Sequence, residues 1–308
     1  MKKWITTIVL FLILGLAFVF KDDIIKYAVN EYTYRYANVS QKANAYKKNL
    51  DIAFVKETTD FFPKKKQDLL NIFYTSLNNG VDSFIYYCTD AYKDCMKESE
   101  SLAKDNNLLS NLNNFVHPYN SYKQLTFKFS SFGKVEVKVD KQYTEQEIQE
   151  LNTKVDALYS SLINDSMSLT EKIKVIHDYI INNSSYDQVK ADSIIGGNLT
   201  AEGEYKSETA YGVLLQGQGI CSGFSDAMEL FLTKMQVPSY KIASATHIWN
   251  FVQIDKGWYH LDLTWDNPIV NGNGKLLLHD FFLIDNATLQ KIDTGHHQYD
   301  ASIYKEAS

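Results

Sequence analysis

Apolar residues recur along this chain with two periods, and the switches between them mark out its elements. After Pro63, residues Leu69, Leu70, Ile72, Phe73 and Leu77 have helical spacing, and Asn78-Asn79-Gly80 supplies a C-terminal stop. Residues 83–87 (Ser-Phe-Ile-Tyr-Tyr) read as a short strand and 91–104 as a helix. Leu125 to Phe129 and Val135 to Val139 alternate with period two, and Ser131-Phe132-Gly133 can join them as a hairpin. Thr144 with Glu147, and Ser168 with Glu171, form capping boxes that open helices ending near Ile163 and Asn182. Residues 183–208 carry glycines and small polar residues and read as a long loop. Phe224, Ala227, Met228, Phe231, Leu232 and Met235 restore helical spacing, so a helix starts near Cys221 and ends before Val237-Pro238. Strands follow over 241–245, 247–254, 258–265 and 281–284. Helices precede strands in the C-terminal half, the pattern of an α+β domain.

The N-terminus breaks this rhythm. An apolar run from Trp4 to Phe20, interrupted only by Thr6, Thr7 and Gly15, would make a helix of roughly 25 Å, the short end of a bilayer span. Lys2-Lys3 before it and Lys21-Asp22-Asp23 after it would leave the remainder outside the cell. The expectation is a single-pass membrane protein with its C-terminal domain outside. A cleaved signal peptide, with Gly15-Leu16-Ala17 as a poor cleavage site, would make it secreted, and a buried helix is the third reading. Residues 1–22 therefore read as a signal-anchor. Residues 23–142 form a mostly helical region with a few strands, its polar Tyr-rich start a stalk or first helix, and 143–308 form the C-terminal domain.

Composition narrows the partners. Among 308 residues, 31 Lys+Arg stand against 37 Asp+Glu, for a net charge of −6, and the longest basic run is Lys64-Lys65-Lys66 after Pro63. That balance excludes nucleic acid as the expected partner. With 45% hydrophobic and 22% charged residues the chain is a folded globular protein. Three cysteines make neither a disulfide-dense miniprotein nor a four-thiolate zinc site, and His296-His297 has no matching ligand cluster, so no metal or cofactor is expected. Cys88 and Cys95 lie about 10 Å apart if they share one helix, too far to bond; if Cys88 ends a strand and Cys95 lies in the next helix, a disulfide becomes possible. Two buried thiols are the alternative, and in either case Cys221 is left over.

Cys221 follows Gly217-Gln218-Gly219-Ile220 and falls in the first turn of its helix, where unpaired N–H groups and the dipole favour thiolate. Taken alone, such a cysteine is more often a small core residue. Two further segments change the reading. His247 opens one strand, Asp262 lies in the next, and Asp255-Lys256-Gly257 joins them. A two-residue turn at Asp255-Lys256 pairs Ile254 with Gly257 and sets Asp262 diagonal to His247 on one face; a three-residue turn without a bulge would separate them. A histidine held by a carboxylate beside a thiol is the arrangement of nucleophilic acyl transfer. His177, beside Asp178 on an amphipathic helix, reads as structural, and His260 shares the Asp262 face as a competing partner.

Ala210-Tyr211-Gly212-Val213-Leu214, Ile220-Cys221-Ser222-Gly223-Phe224, His247-Ile248-Trp249-Asn250, Trp258-Tyr259 and Asp262-Leu263-Thr264-Trp265-Asp266-Asn267-Pro268 closely resemble the bacterial transglutaminase-like superfamily. Ile176-His177-Asp178-Tyr179-Ile180, Asn183 and Tyr186-Asp187 extend the resemblance, which spans about Tyr143 to Ile284. It implies a papain-like core, a Cys-bearing helix packed on an antiparallel sheet, with Cys221, His247 and Asp262 as the catalytic three. Ile248 departs from the alanine that commonly follows the family's histidine, which would narrow the pocket. The implied mechanism attacks a carboxamide through a thioester. Gln216 is the oxyanion candidate beside the Cys221 N–H, and Tyr211 and Trp249 are candidate cleft walls, although aromatics there are more often core. The expected function is an extracytoplasmic cysteine enzyme acting on amide or peptide bonds of a peptide or protein, cell-wall peptide included, by cross-linking or hydrolysis. The alternative is a catalytically silent binding or scaffolding module of the same fold at the cell surface. A redox role for Cys88 and Cys95 lacks a Cys-x-x-Cys.

Overall fold

A computed structural model describes residues 10, 13–28, 31, 44–130, 133–197, 203–268, 276–293 and 295–307. The architecture is α+β. Helices α1 (Lys66–Asn78), α2 (Cys95–Leu102) and α3 (Asn106–Asn113) accompany a sheet of β1 (Ser83–Tyr87), β2 (Tyr122–Phe129) and β3 (Lys134–Lys141), ordered β1-β3-β2. The helix after Pro63 stops at Gly80, whose φ of 65° is the left-handed conformation that ends it. Two of the hairpin's expected turn residues, 131 and 132, lie outside the described residues, as does most of the polar stretch 24–46.

Helices α4 (Glu145–Leu162) and α5 (Leu169–Asn183) both begin at complete capping boxes, Thr144 with Glu147 and Ser168 with Glu171. The segment expected as a loop after them contains two elements. Strand β4 (Ser185–Tyr186) pairs in parallel with β5 (Gln218–Gly219), and helix α6 (Gln188–Ile195) starts where the Asp187 side chain accepts the Lys190 N–H. Helix α7 (Cys221–Lys234) packs on an antiparallel sheet of β6 (Ser239–Ala243), β7 (Ile248–Ile254), β8 (Gly257–Leu261) and β9 (Phe282–Ile284), in that order. A final helix, α8 (Asn286–Ile292), follows β9.

This second sheet is covered on both faces. Tyr240, Ile242, Trp249 and Phe251 join the apolar core built with α1, β1 and β3, while Val252 and Leu261 join the core of α4, α5 and α7. Alternate residues of the same strands thus serve two cores, as the two-residue period of a strand allows.

The single-pass membrane location expected from the N-terminus is overturned. Among the described residues, no helix is long and apolar enough to cross a membrane. Residues 1–9 and 11–12 of the expected anchor lie outside the described residues. The turn at Phe20 leads directly into charged Lys21-Asp22-Asp23. The single-pass placement with the C-terminal domain outside falls with the anchor.

Cys88 follows β1 and Cys95 opens α2, which brings their Cα atoms to 5.4 Å, and the two sulfurs are bonded. The bridge encloses a short loop. Replacing both cysteines by serine is expected to lower the unfolding free energy by about 2–3 kcal/mol on loop-entropy grounds. Urea denaturation of the oxidised protein beside the variant measures it, and equal midpoints at equal slope would refute it.

Candidate active site

Cys221 is the first residue of α7, and the preceding Ile220 is extended, with φ −107° and ψ 179°, and offers no side-chain cap. The first-turn N–H groups and the positive end of the helix dipole therefore stand beside the sulfur. The approach to the helix is tight. Gly217 takes φ 71°, and a Cβ on Gly223 would lie 2.3 Å from the Ser207 carbonyl oxygen. The Ser225 hydroxyl sits 2.8 Å from the Cys221 carbonyl and 3.0 Å from that of Ile248, which ties the first turn of the helix to the first residue of β7.

Strands β7 and β8 pair Ile254 with Gly257 and Asn250 with Leu261. The connection is therefore the two residues Asp255-Lys256, with Asp255 at φ 53°. His247 immediately precedes β7 and Asp262 immediately follows β8, so this register brings them to the same end of the hairpin and to one face. His247 Nε2 donates to Asp262 Oδ2 at 2.5 Å. Cys221 is an electrostatic neighbour of the same ring. Nε2 is engaged by the carboxylate, which leaves Nδ1 as the ring nitrogen not bonded to Asp262.

The electrostatics follow from this chain of contacts. Burial disfavours charge on His247, but the Asp262 carboxylate and then Cys221 outweigh it and raise the imidazole to about 10. Asp262 is almost fully buried; burial alone would raise it, yet the two imidazoles that bond to it hold the carboxyl well below the usual carboxylate range. Its Oδ1 accepts the backbone N–H groups of Thr264 at 2.8 Å and Trp265 at 3.2 Å. Its Oδ2 accepts the second imidazole, His297 Nε2, at 2.8 Å.

Other residues singled out in the sequence lie elsewhere. Trp249 is 1% exposed and so is not a cleft wall: its ring stacks on His247 at 5.7 Å between centroids, and its Nε1 donates to His260 Nδ1 at 2.9 Å. That bond occupies His260, which is not a partner of Asp262. Tyr211 turns its hydroxyl to Glu150 at 2.7 Å, and Gln216 is exposed, its Oε1 accepting the Lys206 N–H at 2.8 Å. Neither lines the cleft. His177 is fully buried and bridges Asp178 at 2.9 Å and Asp266 at 3.2 Å, anchoring α5 to the loop after Asp262.

A cleft of about 570 Å³ opens beside His247, with Tyr186, Thr264, Trp265, Pro268 and His296 in its walls. Tyr186 belongs to β4, which pairs with the strand just before Cys221. Burial first, and the neighbouring Cys221 second, push this phenol up to about 12. Tyr186 carries no periodic signal and lies in the 183–208 segment expected as a loop. His297 was visible only as half of a His-His pair; its spacing of four from Asp293 was the one available clue. Among the described residues, two clusters, His177/Asp178/His279 and His247/Asp262/His297, gather three ligand-type atoms within 4.8 Å. In both, the nitrogens concerned face carboxylate oxygens at hydrogen-bonding distance, so each is satisfied as a hydrogen-bond cluster without an ion.

No protein-family model and no curated protein matches the chain. Among solved structures it is similar to one described as "Crystal structure of a TGase", with 16% identity and a TM-score of 0.36, over 50% of this chain and 46% of that one. The chain thus spans less than half of that protein, and a likeness of this degree carries no weight for fold or function.

The raised imidazole makes a pH prediction. A histidine in the unfolded chain titrates near 6.5, whereas His247 does so at about 10 in the fold. The stabilisation from its charged form is fully present below about pH 6.5 and is lost as pH rises through about 10. The stability advantage of the wild type over His247→Gln should therefore decline steadily across that window in thermal melts. A constant difference between the two proteins would contradict it.

Proposed function

We propose that the chain is a cysteine enzyme of transglutaminase-like type that acts on amide bonds of a peptide or protein through Cys221, His247 and Asp262. The observation that carries this reading is the single imidazole bonded to the buried Asp262, with Cys221 as its other electrostatic neighbour. The helix terminus, the antiparallel sheet and the open cleft at His247 fit the papain-like core that the sequence resemblance implies.

In the proposed cycle the Cys221 thiolate attacks a carboxamide carbonyl carbon, and the electron pair of the C=O moves to oxygen. In this reading the Cys221 backbone N–H and the Tyr186 hydroxyl hold that oxyanion; Tyr186 lines the cleft and neighbours Cys221. As the C–N bond breaks, His247 gives its Nδ1 proton to the departing amine, leaving a thioester. A second amine, or water, then loses a proton to His247 as it attacks the thioester, and the thiolate leaves with the electron pair of the C–S bond. Asp262 keeps Nε2 protonated throughout and so fixes which nitrogen faces the thiol. An amine acceptor gives cross-linking and water gives hydrolysis.

The test incubates the protein with glutamine-containing peptides, with and without a primary amine, and follows ammonia release and product mass. Cys221→Ala should abolish the acyl-enzyme mass gain and reduce turnover on the order of 10⁴-fold or more. Tyr186→Phe should lower kcat by roughly 10²-fold with KM little changed. Products indistinguishable between wild type and Cys221→Ala would end the proposal.

A further inference from the structure

Asp262 serves two imidazoles at once. His247 Nε2 and His297 Nε2 converge on its Oδ2, at 2.5 and 2.8 Å. The His297 side chain is 1% exposed, and its other nitrogen, Nδ1, lies 2.5 Å from Asp293 Oδ2. Asp293, the residue after α8, is held in turn by the backbone N–H groups of Gly295, His296 and His297. Rings enclose His297, with Trp249 at 4.7 Å, Trp265 at 5.0 Å and Phe281 at 5.1 Å between centroids. A ring whose two nitrogens both face carboxylate oxygens satisfies both contacts as an imidazolium, with two donors.

We propose that His297 is a positioning residue of this site, an imidazolium that fixes Asp262 from the side away from His247 and, through Asp293, ties the site to the C-terminal segment 293–299. The inference rests on the reading of Cys221, His247 and Asp262 given above and names a fourth and a fifth member of their chain. The contacts then run in one chain from His247 through Asp262 and His297 to Asp293.

Two consequences follow. The Asp262 carboxylate cannot turn about its Cβ–Cγ bond without losing bonds at both oxygens, so the His247 ring keeps its orientation between turnovers. Charge on His297 also opposes charge on His247, whose ring centroid is 5.2 Å away, and shares the Asp262 carboxylate with it. His297 thereby moderates how firmly His247 holds the proton it must give to a leaving amine. The charged and titratable groups facing His297 are Asp262 and Asp293 as acceptors, His247 and His260 as neighbouring rings, His296 beside it in the chain and Cys221 beyond His247. His260 does not compete for this role; burial first and His297 second push it down to about 3, and it stays neutral.

The test is an NMR titration of the full chain carrying ¹⁵N-labelled histidine, in the wild type, His297→Gln and Asp293→Asn, with His247→Gln to assign signals. Thermal melts accompany each variant. At pH 7 the wild-type His297 should show two protonated nitrogens, and in Asp293→Asn one of them should be bare. In His297→Gln, whose amide keeps a donor but no charge, the His247 midpoint should rise by about one pH unit. A role in packing alone would lower the melting temperature and leave that midpoint in place. A wild-type His297 with one bare nitrogen at pH 7, or an unmoved His247 midpoint in folded His297→Gln, overturns the inference while leaving the three-residue site intact. If His297→Gln does not fold, the Asp293→Asn spectrum decides: two protonated nitrogens persisting on His297 would overturn it. A wild-type His247 that titrates near 6.5 would instead remove the site reading, and this inference with it.

Discussion

Two buried carboxylates hold the helix that carries Cys221 against the sheet that leads to His247, and the site has no geometry without them. Asp226 and Glu229 lie one turn apart on α7. Asp226 bonds Lys241 of β6 at 2.5 Å and the Tyr143 hydroxyl at 2.6 Å. Glu229 receives Lys48, the Ser239 hydroxyl at 2.7 Å and Asn250 of β7 at 3.1 Å. Burial pulls Lys48 below its usual range even though Glu229 pulls the other way, so this charge is retained at a cost. An apolar contact of equal volume would let the helix slide by part of a turn. Directed bonds to a strand, to residue 143 and to residue 48 do not, and a slide of about one residue would move the sulfur by about 1.5 Å, a large displacement for a hydrogen bond to an imidazole.

What could be read in the sequence was local. The capping boxes at Thr144 and Ser168 mark helix starts because the same few residues that signal the cap also make it. The β7–β8 register was legible for a similar reason, since Asp255-Lys256-Gly257 admits few turn lengths and each implies its own pairing. Helix α6 escaped because Val189 and Ile195 face solvent, so its eight residues carry no apolar stripe to detect. Trp249 looked like a cleft wall because aromatics near a histidine suggest one; its indole N–H has instead been spent on His260, inside the core. The bond of His297 to Asp262 has no local signal, because 35 residues separate them and only the return of the chain after α8 joins them.

The sheet with two covered faces also changes what the first part of the chain is for. Tyr240, Ile242, Trp249 and Phe251 point away from α7 and are sealed by α1, β1, β3 and Phe115. Trp249 is also the ring on which His247 rests. A protein shortened to the stretch that resembles a known family would leave those four large side chains wet, and the floor beneath the imidazole would be the first thing to soften. The part of the chain with no recognisable motif is in that sense the back wall of the candidate site, a role that asks for shape and apolar area, two properties that many different sequences can supply.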